Sequence, residues 1–194
     1  SADGGKTGED KQKIQAEVDQ LTEQLLQLAN STYAGKYIFS GYKTDKKLLK
    51  SDGTYNIDSK SGEDMVYGLG VGENIEINVL GHKLFGVFDP TSPELDSVNI
   101  IDARADATEP QQAQLIAVLN DLSDALESDD MDRINKTLGR LDAHMENILS
   151  IRGEVGAKTN RLEMTIDRIS KDRLNFKGLL SDNEDADLAE VIMH

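Results

Sequence analysis

A chain of 194 residues has room for one or two small domains, and its composition, 38% hydrophobic and 29% charged, suits much surface around a thin core. A net charge of −15, from 36 acidic against 21 basic side chains, gives no electrostatic support to nucleic-acid binding. With no cysteine there are no disulfides, no thiol catalysis and no thiolate-held metal, and no apolar run approaches the roughly 18 residues of a membrane span.

Residues 1–10 are polar and glycine-rich, without the pattern of a secretory signal, and read as a cut edge or a loop. A helix is expected over residues 9–34. Ile14, Val18, Leu21, Leu25 and Leu28 draw one apolar seam along it, and Gly35 is placed to stop it. The period then changes to two. Ile75, Ile77 and Val79 alternate with Glu76 and Asn78, as in a strand with one wet face. Asp52-Gly53 between Leu48-Leu49 and Tyr55-Ile57 signals a hairpin, and Gly81-His82 a second, glycine-first turn.

Helix is expected again from Thr108, where Thr108 and Gln111 have capping-box spacing and Pro110 lies in the first turn. Leu115, Leu119, Leu122 and Leu126 form its seam, and residues 128–130 break it and cap the next helix. In that last helix Ile134, Leu138, Leu141, Met145 and Ile148 keep heptad spacing. The register continues through Val155, Leu162, Ile166, Ile169, Phe176 and Leu180. About fifty helical residues span roughly 75 Å, so a rod is expected. Gly153 and Gly156 mark either a kink or slack spot or, the better reading, a shallow notch with Ala157 open to close approach by another helix. Ser181 and Glu184 suggest a bend before an apolar face of Leu188, Val191 and Ile192.

The predicted class is α+β: a discontinuous helical rod domain of residues 1–35 and 106–194, with residues 36–105 inserted as a small antiparallel β domain. Chemistry is sparse. His82, His144 and His194 are isolated in sequence and read as surface residues. Gly68, Gly70 and Gly72 alternate without the rest of a phosphate loop and read as turns. The acidic stretch 181–190 lacks the glycine of a calcium loop. Neither an enzyme activity nor a metal or cofactor is expected.

Three stretches carry a resemblance. In the last helix, Arg152, Gly156, Ala157, Asn160, Arg161 and Leu162 match a motif of the flagellin superfamily of exported bacterial filament proteins. Ser181, Asp185, Ala186, Asp187, Ala189 and Glu190 match a second, in the right order and spacing. Asn30, Gly35, Tyr37, Ile38, Phe39, Gly41 and Thr44 resemble the wording found in the superfamily's hook–filament junction branch. The resemblance implies an elongated antiparallel bundle like the D1 domain of flagellin, here without the terminal regions that form a filament core. It further implies a structural adapter joining hook to filament, extracellular after export through the flagellar type III pathway.

The partners implied are the other hook-associated protein at the junction, flagellin or filament-side subunits, an export chaperone, and further copies in a ring when full length, with no nucleic acid or membrane. Arg152, Gly156, Asn160 and Arg161 are the candidates for subunit packing, either against a neighbour or within the subunit. Leu188, Val191 and Ile192 are the candidates for chaperone contact. A filament flagellin is the alternative within the class. A glycan-binding or adhesin β domain on a helical stalk is the alternative outside it.

Overall fold

The computed structural model describes residues 3–70, 73–89, 97–105 and 111–192, without side-chain detail at 3–9, 70, 73 and 182–192. Three long helices carry the architecture: α1 (Asp3–Ala29), α3 (Gln114–Glu127) and α4 (Met131–Ile192). Among the described residues between α1 and α3 lie four short strands and one small helix. The strands are β1 (Thr32–Tyr33), β2 (Lys36–Tyr37), β3 (Val66–Gly70) and β4 (Glu73–Glu76), and the helix is α2 (Gly81–Phe85). They form two separate two-stranded sheets, β1 with β2 and β3 with β4.

The helical seams are real but split. On α1, Val18 and Ala29 are buried and Leu25 packs on the core, while Ile14, Leu21 and Leu28 stay about half exposed. The reason is one-sided contact: α1 lies against α3, and a helix with neighbours on one flank buries only that flank. Ser123 Oγ donates to Asp19 Oδ1 at 2.7 Å, and Leu122 packs with Val18, while Leu115 shares a cluster with Ala29, so the two helices run antiparallel. On α3 the expected seam is core: Leu115, Leu122 and Leu126 are buried and Leu119 packs beside them.

Helix α3 begins at Gln114, later than the expected Thr108; Thr108 and Pro110 lie outside the described residues. Its start is displaced because Gln112 and Ala113 are committed to extended bridges with Thr54 and Val87. The α3–α4 turn behaves as expected. Asp130 Oδ1 accepts the Arg133 N–H at 3.0 Å, capping α4, and Asp129 takes a φ of 58°. From there α4 runs unbroken to Ile192. Neither the glycines at 153 and 156 nor the capping pattern at Ser181 interrupts it, so the expected bend is absent.

The segment after α1 is a tight knot. Helix α1 stops at Ala29, short of Gly35, and Gly35 instead turns the β1–β2 hairpin with Ala34, at φ 76° and 48°. Two consecutive positive φ values mark the turn whose twist matches that of paired strands. Asn30 then fastens the hairpin's base: its Nδ2 donates to the Leu49 carbonyl at 2.9 Å and its Oδ1 accepts the Leu49 N–H at 3.0 Å. Phe39 meets Phe85 edge-on, with centroids 5.7 Å apart. Within residues 30–44, Asn30 and Phe39 are therefore a structural clamp, while Tyr33 and Tyr42 stay exposed. Asn30→Ala would strand both polar groups of buried Leu49 and is expected to lower unfolding stability by about 2 kcal/mol, read from urea denaturation.

The Asp52-Gly53 turn forms as expected, with Gly53 at φ 80° and an antiparallel bridge between Leu49 and Tyr55. Strand β4 ends at Glu76, so Ile75 is buried but Ile77 is half exposed. There Asn78 leaves the ladder: its Oδ1 takes the Met65 N–H and its Nδ2 donates to the Glu63 carbonyl. Gly68 and Gly70 sit within β3, not in turns. Gly81-His82 opens the short helix α2, not a hairpin turn. A side chain at Gly81 would collide with Leu48, so only glycine lets α2 press this closely on the core.

By contact the chain divides into two compact units, Ser1–Tyr67 with Glu76–Arg152, and Gly68–Ile75 with Gly153–His194. The first holds both hydrophobic clusters. One cluster gathers Leu48, Leu49, Tyr55, Phe85, Val87 and Ile116, and the other Val18, Leu122, Leu126 and Ile134. In the second unit Ile75 and Thr165 are buried.

Candidate interaction surface

In the first unit α4 buries Ile134, Thr137 and His144 and packs Leu141 and Ile148 against the core. Those positions repeat at spacings of three and four. The flank beside them, Leu138, Met145 and Leu149, is exposed. On α1 the exposed residues Ile14, Leu21 and Leu28 recur every seventh position, a second outward apolar line. In the second unit the exposure is greater: Ile166, Ile169, Phe176 and Leu180 are 52–67% accessible. Burying one such side chain is worth roughly 1.5–3 kcal/mol, so a row of them left exposed is a candidate contact face.

The candidate packing residues are Arg152, which ends the first unit, and Gly156, Asn160 and Arg161, which belong to the second. All four are exposed. Helical spacing puts Gly156 and Asn160 on one ridge, and Arg161 about 100° round from Asn160, so they do not form a single cluster. A Cβ at Gly153 or Gly156 would have nothing within 4 Å. The notch is open. Gly156→Ala is expected to raise the stability of the chain by about 1 kcal/mol in thermal melts, because no packing among the described residues requires the glycine. Leu188, Val191 and Ile192 lie on the helical backbone of α4, with side chains outside the described residues.

Two histidines expected at the surface are in the core. His82 is fully buried, its Nδ1 2.8 Å from Ser59 Oγ. Burial lowers its pKa, and the Asp102 carboxylate partly offsets that. A serine, a histidine and an acid in one place invite comparison with a hydrolase triad. Ser59 is itself buried, Asp102 Oδ1 is engaged by the Ser61 N–H at 2.7 Å, and neither cavity described below reaches the hydroxyl. The arrangement ties residue 59 to α2. His144 is buried on α4, with no hydrogen-bond partner for either ring nitrogen among the described residues, and burial pushes its pKa down to about 4. Its helical spacing from Leu141 and Ile148 is the sequence signal for its burial; His82 carries none, because no periodic pattern marks α2.

A cavity of ≈ 280 Å³ lies beside Asp121, whose carboxylate pairs with Arg133 and Arg140 and accepts from Thr137 Oγ1 at 3.0 Å. Both guanidinium groups on its wall pair with this carboxylate, and Arg140 Nε is left without a partner among the described residues. Among the described residues no cluster of His, Asp or Glu is placed to hold a metal, and no helix is long and apolar enough to cross a membrane.

No family model matches the sequence. The chain is 26% identical over 205 residues to flagellar hook-associated protein 3 of Salmonella typhimurium, covering 99% of this chain and 60% of that protein. It is 28% identical over 200 residues to the Escherichia coli protein of the same name, covering 96% and 59%. To flagellin of Bacillus subtilis it is 29% identical over 193 residues, covering 93% and 54%. The chain thus spans less than two thirds of the length of these relatives. Its fold is shared with the crystal structure of Bacillus cereus FlgL, at a TM-score of 0.62 and 22% identity over 86% of this chain and 70% of that one. The resemblance carried by the two α4 motifs and the Asn30–Thr44 segment is therefore one to flagellar hook-associated protein 3, with flagellin among the chain's other relatives.

Proposed function

We propose that this chain is a structural subunit of the bacterial flagellum, an adapter that joins the hook-side junction zone to the filament by packing against its neighbours. The observation that carries this reading is the row of exposed apolar side chains on α4. In this reading α1, α3 and α4 belong to an elongated, D1-like rod, and residues 36–105 are the outward-facing inserted domain. Arg152, Gly156, Asn160 and Arg161 meet either a neighbouring subunit or a helical segment of the same subunit. Leu188, Val191 and Ile192 meet the export chaperone before secretion through the flagellar type III pathway. The partners are the other hook-associated protein, filament-side subunits and further copies in a ring.

Deleting the gene is expected to give cells that keep their hooks but shed unpolymerised flagellin into the medium. Normal filaments and motility in that strain would remove the adapter. The second reading, a filament flagellin, is favoured by the 29% identity to flagellin. It predicts bare hooks with no flagellin shed.

A further inference from the structure

Residues 36–60 reverse the charge of the chain around them. They hold six lysines against three aspartates, in a protein of net charge −15. Two of the lysines are paired, Lys43 with Glu63 and Lys60 with Asp58. Lys46, Lys47 and Lys50 make no salt bridge among the described residues, although Lys50 lies within electrostatic reach of Asp52. These three line a groove of ≈ 750 Å³ at the C-terminal end of α1, with Leu26 and Tyr37, and Asp45 is the acid on its wall. Ligand sites typically enclose roughly 300–1,000 Å³, so the groove has room for a small oligomer.

The backbone beneath the lysines is fixed. Ser40 Oγ donates to the Lys46 carbonyl at 2.9 Å, Asn56 Nδ2 to the Lys47 carbonyl at 3.0 Å, and the Lys50 N–H to the Thr54 carbonyl at 2.8 Å. On the opposite wall the Tyr37 N–H donates to the Thr44 carbonyl at 2.9 Å, which anchors the strand that carries the half-buried Tyr37 ring. A site ordered before its ligand arrives loses less entropy on binding. Charges of one sign in a concave wall also concentrate their field on an anion.

We propose that this groove binds a carboxylate-bearing polysaccharide. Its carboxylates meet Lys46, Lys47 and Lys50, and a sugar ring lies on Tyr37. Gln27, Ser51 and Asn56 complete the lining with amides and a hydroxyl, which match ring hydroxyls. The lining decides between anions. A protein partner binds chiefly through large anchors seated in dry pockets. Here the apolar lining is Leu26, Tyr37 and Leu49, and Leu49 is already buried in the chain's own core. Duplex nucleic acid carries one charge per roughly 1.7 Å, a density that a chain of net charge −15 repels outside the groove. A polysaccharide spaces its carboxylates by whole sugar rings and fills the gaps with hydroxyls. This binding function adds to the subunit role and does not rest on it.

The test is isothermal titration of the purified chain with tetragalacturonate at about 0.05 M salt, where screening is weak. Three controls are run beside it: the neutral methyl ester of the same sugar, an acetylated and amidated tetraglutamate with the same number of carboxylates, and a thymidine tetranucleotide. The sugar is expected to bind with a dissociation constant below about 1 mM, and at least about 10-fold more tightly than any control. Raising the salt to about 0.5 M should weaken that binding at least about 10-fold, an arm that needs no variant. The combined Lys46→Gln, Lys47→Gln, Lys50→Gln variant should bind at least about 10-fold more weakly. Its three side chains are exposed, so its thermal melt should match wild type. The combined Lys46→Arg, Lys47→Arg, Lys50→Arg variant, which keeps the charge, should bind within about 3-fold of wild type. No binding, equal binding of any control, indifference to salt, or a glutamine variant that binds like wild type would each overturn the proposal.

Discussion

Phe85→Ala is expected to lower unfolding stability by about 3–5 kcal/mol. Phe85 is 1% accessible, packs edge-on against Phe39, and sits in the cluster that joins the end of α1 to the segment 48–57 and the start of α3. Truncation leaves a ring-sized hole, and close packing on every side prevents its collapse. A domain of this kind has about 5–15 kcal/mol in total, so the variant should be substantially unfolded on mild heating. Urea denaturation measures this directly. A loss under about 1 kcal/mol would mean that the segment after α1 is not anchored by this ring.

Acidification is expected to act through His144. Folding holds its imidazole at a pKa of about 4, against 6.5 in an open chain, so between those values the unfolded chain binds the proton and the folded one does not. Stability therefore falls as pH drops through 6.5 and the loss is complete near 4, a total of about 3 kcal/mol. His82, lowered in the same direction by burial, adds to the loss. The carboxylates act in a different window. Asp58 and Asp102 have pKa values lowered by backbone N–H donors, so their contribution is present above 3.8 and disappears only below it. His144→Leu should flatten much of the slope between pH 6.5 and 4 in denaturant titrations. A slope identical to wild type would place the acid sensitivity elsewhere.

Much of the helical architecture could be read from periodicity, because a helix that meets a core must repeat its apolar residues near 3.6. What periodicity left open was which flank of a wide apolar face is covered. Ile14, Leu21 and Leu28 were read as one seam with Val18 and Leu25, yet α1 buries only the latter pair's flank. On α4 the same ambiguity hid the buried Thr137 and His144 behind the more apolar Leu138 and Met145. Number and position of neighbours decide such cases, and a single sequence does not encode them locally.

The region between α1 and α3 was least legible, for a related reason. Its order comes from long-range side-chain clamps such as Asn30 on Leu49 and Gln114 Nε2 on the Ser97 carbonyl, and not from extended ladders with a readable period. Gly35 is expected at a helix end, where a left-handed residue stops the helix, but its positive φ serves a hairpin turn. Gly81 looked like another turn, whereas its role is to admit Leu48 against α2. The three motif stretches pointed to the right relatives because they are patterns of specific residues and do not rest on hydrophobic period.

The central claim is that the exposed apolar row on α4 serves neighbours and contributes nothing to the chain's own stability. The direct test is Phe176→Asp with Leu180→Asp, two side chains 67% and 63% accessible. The purified variant should melt like wild type, within about 0.5 kcal/mol for each exposed substitution, while the same variant returned to the deletion strain should leave flagellin shed and filaments absent. Wild-type filaments from that variant, or a melt lowered by several degrees, would contradict the claim.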